Sequence, residues 1–205
     1  MNICQDCLAN LPILGLQCPR CAEPNVHGEL CGHCLSLPPA FDGVICPFEY
    51  KRPVNQLIHK WKHHVHTLGP EQLILRLGHQ LEEGHYDFVV PVPYHWRKLL
   101  KRGHNPVRNL SRKLAKQLST PLLDAVTRVK KGQDQRGLDR KSRLKNLKKA
   151  FSLNKNKIKT LKGKNILLVD DVVTTGATCN AISLLLKRAG AKSVMVGCLA
   201  RTALK

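Results

Sequence analysis

Ile166-Leu-Leu-Val-Asp-Asp-Val-Val-Thr-Thr-Gly-Ala-Thr178 reads as a buried strand, a tight loop and a helix start. Ile166 to Val169 are continuously apolar, as a strand covered on both faces must be. Its carboxyl end delivers Asp170 and Asp171 to the crevice where open α/β sheets bind ligands. The following residues Val172, Val173, Thr174, Thr175, Gly176, Ala177 and Thr178 run into a helix, so backbone N–H groups and the positive end of the helix dipole can hold a phosphate dianion. Gly176 is expected to let the backbone approach closely, and the threonines add hydroxyl donors. Two carboxylates just before such a cradle suit ribose hydroxyls, which donate hydrogen bonds. The plainer alternative is a strand–turn–helix whose threonines merely cap.

Working outward, residues 178–189 carry a helical pattern stopped by Gly190, and Ser193 to Leu199 read as the next strand, which makes one βαβ unit and a parallel sheet. Upstream, Val44 to Tyr50 read as a short strand. Val54, Leu57, Ile58 and Trp61 recur at helical spacing, as do Leu73, Leu77 and Leu81. Phe88 to Pro93 is a candidate buried strand ended by its prolines. It precedes a helix with Asn105 as N-cap, Pro106 at its first position and Val107, Leu110, Leu114 and Leu118 on one face. Thr120 to Val129 offers a further strand, and residues 130–149 are too polar for a core and read as a loop entering a basic helix.

Residues 1–38 are rich in Cys, Pro and Gly and too poor in apolar residues to fold alone, so metal is expected to organise them as a separate module from residues 39–205. Cys18-Pro-Arg-Cys21 and Cys31-Gly-His-Cys34 are two knuckles whose four thiolates can close around one tetrahedral ion, which points to structural zinc. Cys4 and Cys7 form a further pair that can join either knuckle in its place, stay free or oxidise. His59 and His63 would be helical neighbours, although no carboxylate or cysteine lies near them in sequence to complete a metal site. Paired cysteines, the absence of a membrane-length apolar run and the character of Met1-Asn-Ile-Cys4 lead to the expectation of a cytoplasmic protein without membrane contact.

The formal charge of +20 is regional: residues 97–164 hold 23 of the 34 Lys+Arg and only 3 of the 14 Asp+Glu. Such a block suits a polyanion, either a polyphosphate substrate or a nucleic acid backbone. Lys130, Lys131, Arg140, Arg143, Lys148 and Lys149 are the candidate nucleic-acid contacts. With 4% aromatic residues there is little for base stacking, so contact with the backbone is the expected mode.

The thirteen residues from Ile166 resemble the phosphoribosyl pyrophosphate (PRPP) motif of type I phosphoribosyltransferases. Four further pieces extend a resemblance to the ComF family, also called GntX-like, over nearly the whole chain. They are Pro47-Phe-Glu-Tyr50 leading to Leu57-Ile-His-Lys-Trp-Lys62, Val89-Val-Pro-Val-Pro93 leading to Lys101-Arg-Gly-His-Asn105, Arg128-Val-Lys130 with Gln135-Arg-Gly-Leu138, and Arg143-Leu-Lys-Asn-Leu-Lys-Lys-Ala-Phe151. The resemblance implies a parallel phosphoribosyltransferase-like sheet flanked by helices, with a small N-terminal zinc ribbon. It puts Asp170 and Asp171 on the ribose hydroxyls and residues 172–178 around the 5-phosphate. It places Tyr94, His95 and Arg97 at the pyrophosphate loop, and Arg128 to Arg143 in a loop that closes over the transferred group. If transfer occurs, Asp170, Asp171, Arg97 and Arg102 are the expected catalytic set, with magnesium neutralising the leaving charge. The resemblance further implies handling of incoming single-stranded DNA during natural transformation, with a competence helicase or DNA-processing protein as partner. Phosphoribosyl transfer to an unidentified acceptor is the enzymatic alternative.

Overall fold

The computed structural model describes residues 10–63, 71–94, 99, 103–129 and 150–203. In chain order its elements are α1 (Gly32–Ser36), β1 (Gly43–Ile45), β2 (Phe48–Glu49), α2 (Val54–His63), α3 (Glu71–Leu81), β3 (Phe88–Pro91), α4 (Pro106–Gln117), β4 (Val126–Arg128), β5 (Phe151–Leu153), a 3₁₀ turn at Lys155–Lys157, α5 (Ile158–Leu161), β6 (Asn165–Val173), α6 (Ala177–Arg188) and β7 (Ser193–Arg201). The principal sheet runs β1, β7, β6, β3, with β2 also paired to β7, and every pairing in it is parallel.

The sheet is covered on both faces, which is why its central strands are apolar throughout: Ile166, Leu167, Leu168 and Val169 are all fully buried. Alternate residues serve opposite layers. Ile166, Leu168, Val194 and Val196 pack with Cys179, Ile182 and Leu186 of α6, and Cys18, Cys21 and Cys34 join the same layer. Leu167, Val169 and Leu199 pack with Val54 and Ile58 of α2, with Leu73, Leu77 and Leu81 of α3, and with Leu110 and Leu114 of α4.

Most local expectations hold. Asn105 caps α4 by accepting the Arg108 N–H at 3.0 Å, with Pro106 in the first turn. Gly190, at φ 93°, ends the chain's turn after α6. Three elements differ in extent. The strand expected at Val44 to Tyr50 is two short strands, because Pro47 has no N–H to give the ladder. The strand expected at Thr120 to Val129 splits between partners: Leu122 bridges in parallel to Val89, and only Val126–Arg128 continue, antiparallel to β5. The strand starting at Asn165 runs past Val169 to Val173, so the acidic pair lies within it.

The β4/β5 pair brackets the basic stretch. Val126 faces Leu153, Arg128 faces Phe151, and the Val129 N–H donates to the Ala150 carbonyl at 2.9 Å, so the two ends of residues 130–149 are held side by side. Phe151 is buried in the α6 layer, which puts this stem on the α6 side of the sheet. Among the described residues no helix is long and apolar enough to cross a membrane.

Candidate functional site

The site forms where β6 outruns its neighbour. β3 ends at Pro91 opposite Val169, and the Val92 N–H still reaches the Val169 carbonyl at 2.9 Å. Among the described residues β6 pairs only with β7 from Asp170 onward, with Asp170 opposite Cys198 and Val173 opposite Arg201. The acidic pair therefore sits just beyond the last residue of β6 that pairs with β3. Half-buried Tyr94, carried on the chain leaving β3, stands at that end of the sheet.

Strand alternation sends the two carboxylates to opposite layers. Asp170 points toward α6, with its Oδ2 4.0 Å from Cys179 Sγ, and its Oδ1 accepts the Asp171 backbone N–H at 2.9 Å. Burial, then the neighbouring Asp171 carboxylate, pushes Asp170 up to about 8, against the pull of that N–H and of the Lys62 ammonium. Asp171 is buried on the other side, where its Oδ1 accepts from Lys62 Nζ, on the last turn of α2, at 2.7 Å.

The loop after β6 turns into α6 through Gly176, whose φ of 71° places it in the left-handed region as the N-cap. A Cβ there would meet nothing closer than Phe41 at 3.6 Å, so within the described residues the glycine is needed for its φ and not for packing. Thr175 Oγ1 accepts from the Ala177 N–H at 3.4 Å, which is a capping role of the kind the plainer reading anticipated. Thr174 and Thr175 are nonetheless exposed, and Gly176, Ala177 and Thr178 half-buried, so the helix start faces solvent. The arrangement presents backbone N–H groups and hydroxyls beside two carboxylates, which is the chemistry of an anion cradle next to a diol site.

Arg201, the last residue of β7, is 2% exposed and was not anticipated from sequence. Its Nη1 donates to the Thr174 carbonyl at 2.8 Å and its Nη2 to Glu23 Oε2 at 2.7 Å, tying the loop to the segment that carries Cys18 and Cys21. The only sequence signal is a charge closing an otherwise apolar strand. Lys62 was likewise missed, because 109 residues separate it from its partner.

Near the N-terminus Cys18, Cys21, Cys31 and Cys34 bring their sulfurs within 4.8 Å of one another, with Cys21 and Cys31 at 3.6 Å. A tetrahedral zinc with bonds of about 2.3 Å needs sulfurs about 3.8 Å apart, so the four thiols fit such an ion. Ala22, at φ 57°, completes the first knuckle, its N–H donating to the Cys18 carbonyl at 2.8 Å. Burial opposes ionisation of Cys18, but N–H donors from Cys31, Cys21 and Arg20 outweigh it and bring the thiol down to about 7. Burial pushes Cys21 up to about 11, against the Glu23 N–H and the Cys34 thiol, and burial and Cys21 push Cys34 higher still. A dication would relieve this crowding of would-be thiolates. His27 and His33 are exposed and outside the cluster. His59 and His63 are exposed on α2 with their rings tilted and centroids 4.5 Å apart, and belong to no group of metal-ligand geometry among the described residues.

Cys4, Cys7, His95, Arg97, Arg102, Lys130, Lys131, Arg140, Arg143, Lys148 and Lys149 lie outside the described residues.

The phosphoribosyl transferase domain family matches residues 99–203. Over 97% of its length the chain is 35% identical to competence protein F of Haemophilus influenzae, covering 88% of that protein. It is 34% identical to the DNA utilization protein YhgH of Escherichia coli, covering 98% of this chain and 91% of that one. Among solved structures, a purine phosphoribosyltransferase from Pyrococcus horikoshii superposes with a TM-score of 0.41 at 22% identity, over 64% of this chain and 71% of that one.

Proposed function

Since this chain belongs to the ComF family of competence and DNA utilization proteins and carries a phosphoribosyl transferase domain, we propose that it is a cytoplasmic protein that handles incoming single-stranded DNA and binds PRPP in the crevice at the end of β6. The observation that carries the pocket reading is the acidic pair on the one-sided end of β6, followed at once by the Gly176-capped start of α6. Asp170 and Asp171 accept hydrogen bonds from the ribose hydroxyls. The N–H groups of residues 174–178 and the Thr175 hydroxyl hold the 5-phosphate at the positive end of the α6 dipole. Magnesium, when bound, neutralises the diphosphate.

The DNA role rests on the relatives' names and on the basic stretch, whose ends the β4/β5 stem holds on the α6 side of the sheet. Lys130, Lys131, Arg140, Arg143, Lys148 and Lys149 supply phosphate contacts. The four-cysteine cluster holds a structural zinc, because four thiolates leave no open coordination position. The matching transferase domain favours one alternative, transfer of phosphoribose to an acceptor with release of pyrophosphate.

Calorimetry with PRPP and magnesium tests the pocket. Wild type should bind, and Asp171→Asn and Thr175→Val should each weaken binding by about 1 to 3 kcal/mol, the range for hydrogen bonds to charged groups. Equal binding by all three would place the ligand elsewhere. Pyrophosphate release on adding candidate acceptors would favour the enzyme, and loss of transformation in cells carrying Asp171→Asn would tie the pocket to DNA handling.

A further inference from the structure

Lys62 stands on the far side of the acidic pair from the phosphate cradle. The cradle leads into α6 and shares its layer with Asp170, whereas Lys62 comes from α2, which packs on the opposite face of the sheet and reaches Asp171. The two side chains of the ion pair are 19% and 10% exposed, so the ammonium is mostly withdrawn from water. Among the described residues Asp171 is its hydrogen-bonding partner, and it takes one of three N–H donors.

Stability is a weak reason to keep such a pair, because desolvating two charges offsets most of their attraction. A ligand supplies a stronger one. A ribose 5-phosphate carrying a diphosphate on its first carbon is anionic at both ends, with its hydroxyls between. If the cradle takes the 5-phosphate and the carboxylates take the hydroxyls, the other anionic end meets whatever cation lies beyond the acidic pair. Among the described residues Lys62 is that cation, fixed by Asp171 and seated at the C-terminal turn of α2, where the helix dipole favours positive charge. Lys60 and His63 share that last turn.

We propose that Lys62 is a specificity residue of the pocket, reading the diphosphate at C1 and so distinguishing PRPP from ribose 5-phosphate. This rests on the pocket reading above, and the experiment separates the two. Binding of PRPP and of ribose 5-phosphate, each with magnesium, is measured for wild type, Lys62→Gln and Lys62→Arg. Removing a charge-assisted hydrogen bond to one ligand alone should lower PRPP affinity by about ten- to a hundredfold in Lys62→Gln and leave ribose 5-phosphate within about threefold. Lys62→Arg should recover most of the PRPP affinity. Equal weakening for both ligands would show that Lys62 acts only by holding Asp171, and unchanged affinity would remove it from the site. Wild type that binds neither ligand would overturn the pocket itself. Lysine acetylation of the wild-type protein gives a second readout that needs no variant to fold. PRPP should shield Lys62 from the reagent and ribose 5-phosphate should not, and equal shielding by both would overturn the proposal.

Discussion

Asp170 and Asp171 are consecutive yet face opposite layers of the sheet, one against Cys179 on α6 and the other against Lys62 on α2. Among the described residues only the second has a cation within hydrogen-bonding distance. Asp170 therefore carries the cost of a carboxyl held in low dielectric beside a like charge, and its elevated value of about 8 follows from those two causes.

That cost has a definite pH signature. The unfolded value is 3.8, so at lower pH Asp170 is protonated in both states and the cost is absent. As pH rises toward about 8 the unfolded chain ionises the group and the folded chain does not, so stability is progressively lost through that window. Asp170→Asn should remove this dependence. Its melting temperature should match wild type near pH 4 and exceed it by several degrees at pH 8. Parallel melting curves across that range would show that Asp170 is not held neutral.

Arg201 and Glu23 give a second test. Breaking a buried ion pair by removing one partner costs about 3 to 5 kcal/mol. The Glu23 side chain is 16% exposed, so Glu23→Ala should lie at the low end of that range, read as a shift in the urea midpoint. Replacing both partners, Glu23→Leu with Arg201→Met, should recover part of the stability, because the uncompensated charge is gone. A double variant less stable than Glu23→Ala would argue that the hydrogen bond from Arg201 to the Thr174 carbonyl dominates.

The cysteine cluster should bind one zinc ion per chain in freshly purified protein, measured by elemental analysis. Cys18→Ser or Cys34→Ser should release it and lower the melting temperature, since binding of a structural metal is generally coupled to folding. Full metal content in both variants would assign the ion to other ligands.

Single-stranded DNA affinity should fall steeply with salt. Replacing Lys130, Lys131, Lys148 and Lys149 with Ala should flatten the slope of log K against log salt by roughly 0.7 for each phosphate that is no longer neutralised. Fluorescence anisotropy over a salt series would read it, and a slope unchanged by the four substitutions would move the DNA track elsewhere.

What could be read in the sequence was local. Ile166 to Val169 as a doubly covered strand, Asn105 and Pro106 as a helix start and Gly190 as a stop depend on neighbours a few residues away. The knuckles were legible for the same reason, since two cysteines on one tight turn define a ligand pair by spacing alone. Strand extent was less legible because it depends on the partner: β6 continues past Val169 only because β7 runs beside it, and Leu122 leaves the strand of Val126 because β3 claims it. The two ion pairs were beyond reach. Lys62 meets Asp171 across 109 residues and Arg201 meets Glu23 across 178, and no periodicity announces an interaction made by the packing of separate elements.

The β4/β5 stem has an evolutionary consequence. The Val129–Ala150 hydrogen bond and the strand pairing beneath it hold positions 129 and 150 side by side through contacts made outside residues 130–149. Doubling the number of residues that join two fixed ends costs, by loop-closure entropy, only about 0.6 kcal/mol. Descendants of this chain can therefore change the length or charge of the stretch between positions 129 and 150 and keep the contacts that close the stem.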